Sequence, residues 1–119
     1  MAKPKLPDAL SRRHLLDGDL DANKALELAQ AYLEEGREVE AIDFLAAADP
    51  ASSDAARETL AGLRDKALEG GDVFLMRIVC GALDEEPSGE AWQALADAAT
   101  RSGRLQDAET AHRLATVSD

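Results

Sequence analysis

Apolar residues recur along this chain three and four positions apart, in blocks that glycine, proline or a short polar stretch closes. The first block is short. A helix is predicted over residues 7–16, with Pro7 in the first turn, where its missing N–H is not needed. Leu10, Leu15 and Leu16 are its expected buried stripe, and Gly18 stops it. Asp19 or Asp21 caps the next helix, whose stripe is Ala22, Ala25, Leu26, Leu28, Ala29, Tyr32 and Leu33, ending at Gly36. A partner helix follows with Val39, Ala41, Ile42, Leu45, Ala46 and Ala48, ending before Pro50.

The same grammar then repeats. Ser53 or Asp54 caps a helix carrying Ala56, Leu60, Leu63, Ala67 and Leu68, which Gly70-Gly71 ends. A more apolar helix runs from Val73 to Leu83 and stops at the acidic stretch before Pro87. Ser88 caps a helix with Ala91, Trp92, Leu95, Ala96 and Ala99, closed by Gly103, and the last helix carries Leu105, Ala108, Ala111, Leu114 and Ala115. No β-branched alternation and no Asn-Gly hairpin turn signals a strand. Composition agrees: 45% of the 119 residues are hydrophobic but only 3% aromatic, so the core is built from Ala, Leu, Val and Ile. Small side chains with high helix propensity favour helices that approach closely.

The corner glycines Gly36, Gly71 and Gly103 stand 35 and 32 residues apart, with a helix on either side of each. That period marks a helical repeat, in which no single hairpin buries its own apolar face. The third unit reads Trp92, Leu95, Ala96, Ala99, then Gly103, then Ala108, His112, Ala115. The first reads Ala25, Leu28, Ala29, Tyr32, then Gly36, then Ala41, Leu45, Ala48. The middle unit is degenerate, with Arg64 in place of a small residue and Met76 in place of a close-packing alanine. Over residues 22–117 the chain resembles the tetratricopeptide repeat family. The resemblance implies an all-α, TPR-like right-handed superhelix of three helix-turn-helix repeats over 22–119, preceded by a basic arm and short leader helix over 1–21.

Charge adds a second division. The net charge is −11, from 13 basic and 24 acidic residues. Lys3, Lys5, Arg12 and Arg13 against Asp8 make the first 14 residues +3, leaving −14 for the rest. An acidic body repels phosphate, so nucleic acid and anionic membrane are not expected partners. The basic head is either a solvated tail or an arm that binds its own acidic body or that of another copy. The start, MAKPKLPDAL, has no apolar signal core, Pro4 and Pro7 suit an extended or disordered lead-in, and no apolar run reaches the length of a membrane span. With one cysteine, Cys80, no intramolecular disulfide forms, and the cytoplasm is the expected compartment.

Candidate chemistry is sparse. Asp17, Asp19 and Asp21 alternate like the start of a calcium loop, but Ala22 stands where the turn glycine belongs and Leu28 where the closing Glu belongs, so helix capping is the better reading. His14 and His112 have no metal-ligand spacing to Cys80 or each other, and His112 is expected half-buried at a packing position. Cys80 reads as a small core residue and Trp92 as core or, in a terminal unit, a partly exposed anchor. No phosphate loop, nucleophile elbow or zinc-protease motif is present, and no catalytic residue, cofactor or metal is expected.

Members of the resembled family use the first helix of each unit to line a concave groove for peptides or helices. By that resemblance the groove here would present Asn23, Gln30 and Glu34, then Glu58, Asp65 and Glu69, then Glu90, Gln93, Asp97 and Arg101. Some members grip a terminal carboxylate with basic residues, and this chain has acids at those places. The expected role is a non-catalytic protein-interaction adaptor that takes a basic segment, with a homo-oligomer as a further possibility. The alternatives are a small chaperone of the secretion type or an assembly subunit of an enzyme complex.

Overall fold

Asp21, Ser53, Asp72 and Ser88 each turn a side-chain oxygen onto a helix's first turn. They accept from the N–H groups of Asn23 at 3.0 Å, Ala56 at 3.2 Å, Leu75 at 3.0 Å and Ala91 at 3.1 Å. Each satisfies a donor that has no partner within its own helix. The computed structural model describes residues 6, 7, 9–18 and 20–117. Among these it shows seven helices and no strand: α1 Ala9–Asp17, α2 Ala22–Glu34, α3 Glu38–Ala47, α4 Asp54–Gly70, α5 Val73–Leu83, α6 Gly89–Arg101 and α7 Leu105–Val117.

Three of the helix ends share one construction. Gly36, Gly71 and Gly103 have φ of 73°, 68° and 76°, in the left-handed region. The N–H of the following residue reaches back six positions inclusive: Arg37 to the Tyr32 carbonyl at 2.9 Å, Asp72 to Ala67 at 2.9 Å and Arg104 to Ala99 at 2.8 Å. Inside each such loop the glycine N–H bonds to Leu33, Leu68 or Thr100 at 3.0, 3.4 and 3.2 Å. This is the Schellman closure, and its recurrence makes Tyr32, Ala67 and Ala99 equivalent positions. Two other ends use an aspartate in the left-handed region, Asp49 at φ 61° and Asp84 at φ 57°. The Glu85 N–H completes the closure onto Cys80 at 2.9 Å; after Asp49 comes Pro50, which has no N–H to do so.

The chain divides into two units, Met1–Leu60 and Ala61–Asp119. In the first, α2 packs along α3, and α1 touches α3. Tyr32 and Phe44 are its centre, both fully buried, with ring centroids 5.5 Å apart and planes 14° from parallel. The Tyr32 hydroxyl donates to the Pro7 carbonyl at 3.2 Å, which ties the lead-in to the hairpin. The Arg37 guanidinium lies 5.0 Å from the Tyr32 ring centroid, a cation–π contact across the corner. Ala25, Ala29, Ala41 and Ala48 are nearly free of solvent, which lets the two helices close on one another.

In the second unit α6 packs along α7, and α5 also meets α7. Leu95, Ala96, Ala99 and Ala111 are fully buried, with Trp92 at 4% exposure. Arg104 ties α7 to α5: it bonds Asp107 at 3.4 Å and approaches Asp72, the cap of α5, at 4.0 Å. Arg64 on α4 pairs with Glu85 beyond α5 at 2.7 Å.

Several expectations need correction. α1 starts at Ala9 and ends at Asp17, and Leu10 on it is 68% exposed instead of buried. Val39 and Leu105, each in the first turn after a corner, point to solvent, and so do Ala22 and Ala46. His112 is exposed, not half-buried. In each case helical spacing is right, but the residue sits on a face with no neighbour to cover it. Trp92 is core, the first of its two expected readings, and its ring is not an exposed anchor.

Candidate functional site

The expected groove residues divide by unit. On α2, Asn23, Gln30 and Glu34 are all exposed. Gln30 and Glu34 line a depression of about 360 Å³ together with Lys24, Glu27, Leu28 and Ala31; Asn23 does not. Leu28 and Ala31, each only 8% exposed, form its apolar floor. Glu27, Gln30 and Glu34 stand at i, i+3 and i+7, so they follow one face of the helix. Glu27 and Glu34 are then about 10 Å apart along the axis. Lys24 sits within 3.6 Å of Glu27, both well exposed, so a competing cation displaces it at little cost.

On α4, Glu58 is exposed in the first unit, and Asp65 and Glu69 are exposed one turn apart in the second. On α6, Glu90, Gln93, Asp97 and Arg101 are exposed. Gln93 is the hub: its amide nitrogen donates to Asp97 Oδ1 at 3.2 Å, and its oxygen meets His112 Nδ1 at 3.2 Å. Glu90 and Gln93 also line a depression of about 340 Å³ with Gly89, Ala115 and Thr116, between the start of α6 and the end of α7. Asp97 and Arg101 lie outside it.

The basic head is only partly described. Lys3 and Lys5 lie outside the described residues. Arg12 is half-buried on α1 and acts on two carboxylates of α3; Arg13 is exposed. Glu40 is held below the usual carboxylate range, first by its own backbone N–H and then, against some burial, by a 3.1 Å hydrogen bond from Arg37 and the charges of Arg37 and Arg12. Asp43 is raised above its ordinary value by burial, which the Arg12 charge opposes and Glu40 reinforces. The described part of the head therefore lies against α3 and not in the α2 depression.

Cys80 is buried, and its thiol is pushed above the ordinary 9.0, chiefly by that burial and then by Glu85, with Arg64 opposing. A protonated thiol is a poor nucleophile. Among the described residues no cluster of three or more His, Cys, Asp or Glu side chains is placed to hold a metal ion. Asp21 spends its carboxylate on the α2 cap; Asp19 and the Asp17 side chain lie outside the description. No described helix is long and apolar enough to cross a membrane.

Two features escaped the sequence reading. Phe44, one residue before the expected core position Leu45, is a centre of the first hairpin. Glu27 joins Gln30 and Glu34 on the α2 face, and its spacing was the available signal. No family model, no curated protein and no solved structure matches this chain.

Proposed function

We propose that this chain is a non-catalytic, TPR-like interaction module that takes a basic segment of a protein partner on the faces of its first helices. The repeat assignment is supported by the Schellman closure recurring after Tyr32, Ala67 and Ala99, at the spacing of the corner glycines. The observation that carries the binding role is the α2 depression, an apolar floor of Leu28 and Ala31 edged by Glu27, Gln30 and Glu34. Such a surface suits a segment that presents an aliphatic side chain between two cations about 10 Å apart. The α6 face, with Glu90, Gln93 and Asp97, carries the same kind of groups.

Backbone amide shifts measured on adding a short Lys/Leu peptide test this reading. The reading expects saturable shifts within residues 24–34, and lesser ones within 90–97. Shifts confined to other helices, or none, would overturn it.

A further inference from the structure

Counting outward from each corner glycine compares the second helices position by position. Three residues on stand Val39, Phe74 and Gln106; seven on, Asp43, Ile78 and Thr110; ten on, Ala46, Gly81 and Arg113. The outward positions that are polar on α7 are apolar or bare on α5. Phe74 is 62% exposed, Gly81 is exposed, and Ile78 and Ala82 are half-buried, while Val73, Leu75, Met76, Val79 and Cys80 face inward. At 100° per residue, Arg77, Gly81, Phe74, Ile78 and Ala82 fall within a sector of about 140°, broad enough to be a helix-packing face. A Cβ added at Gly81 meets nothing within 4 Å, so the notch is open to solvent.

Charge indicates what covers it. Arg77 is the one charge in the sector and forms no ion pair among the described residues. One turn beyond Gly81 comes the acidic turn Asp84–Glu86, where Glu85 is engaged by Arg64 and Asp84 and Glu86 are exposed without ion pairs among the described residues. Cation, notch and acids thus follow one another along a single line.

We propose that this face binds a second copy of the chain, α5 against α5 and antiparallel, with the helices crossing at Gly81. A two-fold axis there sets Arg77 of each copy beside the acidic turn of the other, lays Ile78 beside the C-terminal end of the partner helix, and brings Phe74, about 10 Å from the crossing, against the chain that follows that helix, near Pro87 and Ser88. The absence of a side chain at Gly81 allows the close approach. One helix face is a small interface, and both copies are acidic, so the association is weak and appears at high micromolar concentration.

Sedimentation equilibrium from about 10 to about 500 µM tests the proposal. The wild-type mass rises from monomer towards dimer, and Phe74→Glu stays monomeric with an unchanged helical spectrum, since Phe74 is not core. Arg77→Glu alone and Glu86→Lys alone each weaken the dimer about tenfold or more. Mixed together they restore it, because a heterodimer pairs Glu at 77 with Lys at 86 on one side and the native pair on the other. A wild type that stays monomeric, a Phe74→Glu variant that still dimerises, or a mixture no tighter than its components overturns the proposal.

Discussion

Gly71 lies against the backbone of Ala99: a Cβ at residue 71 would overlap the Ala99 nitrogen and Cα and come within 2.7 Å of its Cβ. The corner after α4 is therefore packed onto α6 at the position where α6 makes its own corner bond to Arg104. Gly36 and Gly103 share the left-handed φ but have nothing within 4 Å of an added Cβ. Gly36→Ala and Gly103→Ala then bear only the left-handed cost, about 1–2 kcal/mol. Gly71→Ala also forces two backbones apart and loses about 4 kcal/mol or more. Urea melts of the three variants check the ranking.

Tyr32 and Phe44 separate a packing effect from a tethering effect. Phe44→Ala removes a fully buried ring from the stack and costs about 3–5 kcal/mol in the same melts. Tyr32→Phe keeps the stack and deletes only the bond to Pro7, for about 0.5–1.5 kcal/mol. Amide exchange in α1 accelerates in the second variant while α2 and α3 stay protected.

Asp84 ends α5 in the left-handed conformation and places a negative charge at the helix's negative pole. Asp84→Asn keeps a residue that tolerates φ above zero and removes the charge. It raises stability by about 0.3–1 kcal/mol, read from the thermal midpoint at low ionic strength.

Cys80 supplies a pH dependence with a definite sign. Its folded-state pKa lies above the ordinary 9.0, so its stabilising contribution is complete below that value and is lost as pH rises through the folded one. Between about pH 8 and about pH 10 the wild type loses more stability than Cys80→Ala, whose slope lacks this group. At neutral pH the native thiol reacts with iodoacetamide far more slowly than the denatured chain.

Much of the helical architecture was legible because its punctuation is local. A left-handed corner selects glycine, a first turn selects Asp or Ser, and each sits at the end of an apolar stripe. The packing was less legible. Leu10, Val39 and Leu105 satisfy helical spacing, yet burial depends on whether another helix lies opposite, which spacing does not encode. Phe44 was passed over because the repeat pattern places its bulky residue at 45, whereas both 44 and 45 are buried. The acidic faces were the easiest to expect and the least discriminating, since charged residues stay in water whatever their role. What the structure adds is the depression beneath Gln30 and Glu34 and its apolar floor.

The proposed binding role rests on that combination of floor and charge, and a titration reads it directly. A fluorescent peptide of Leu and Lys, and a matched peptide with Glu for Lys, are each titrated with the wild type and with the Glu27→Lys, Glu34→Lys double variant. The account predicts saturable binding of the basic peptide only, weakened about tenfold or more by the double variant and by raising salt. Equal binding of both peptides, or an affinity indifferent to salt and to residues 27 and 34, would contradict it.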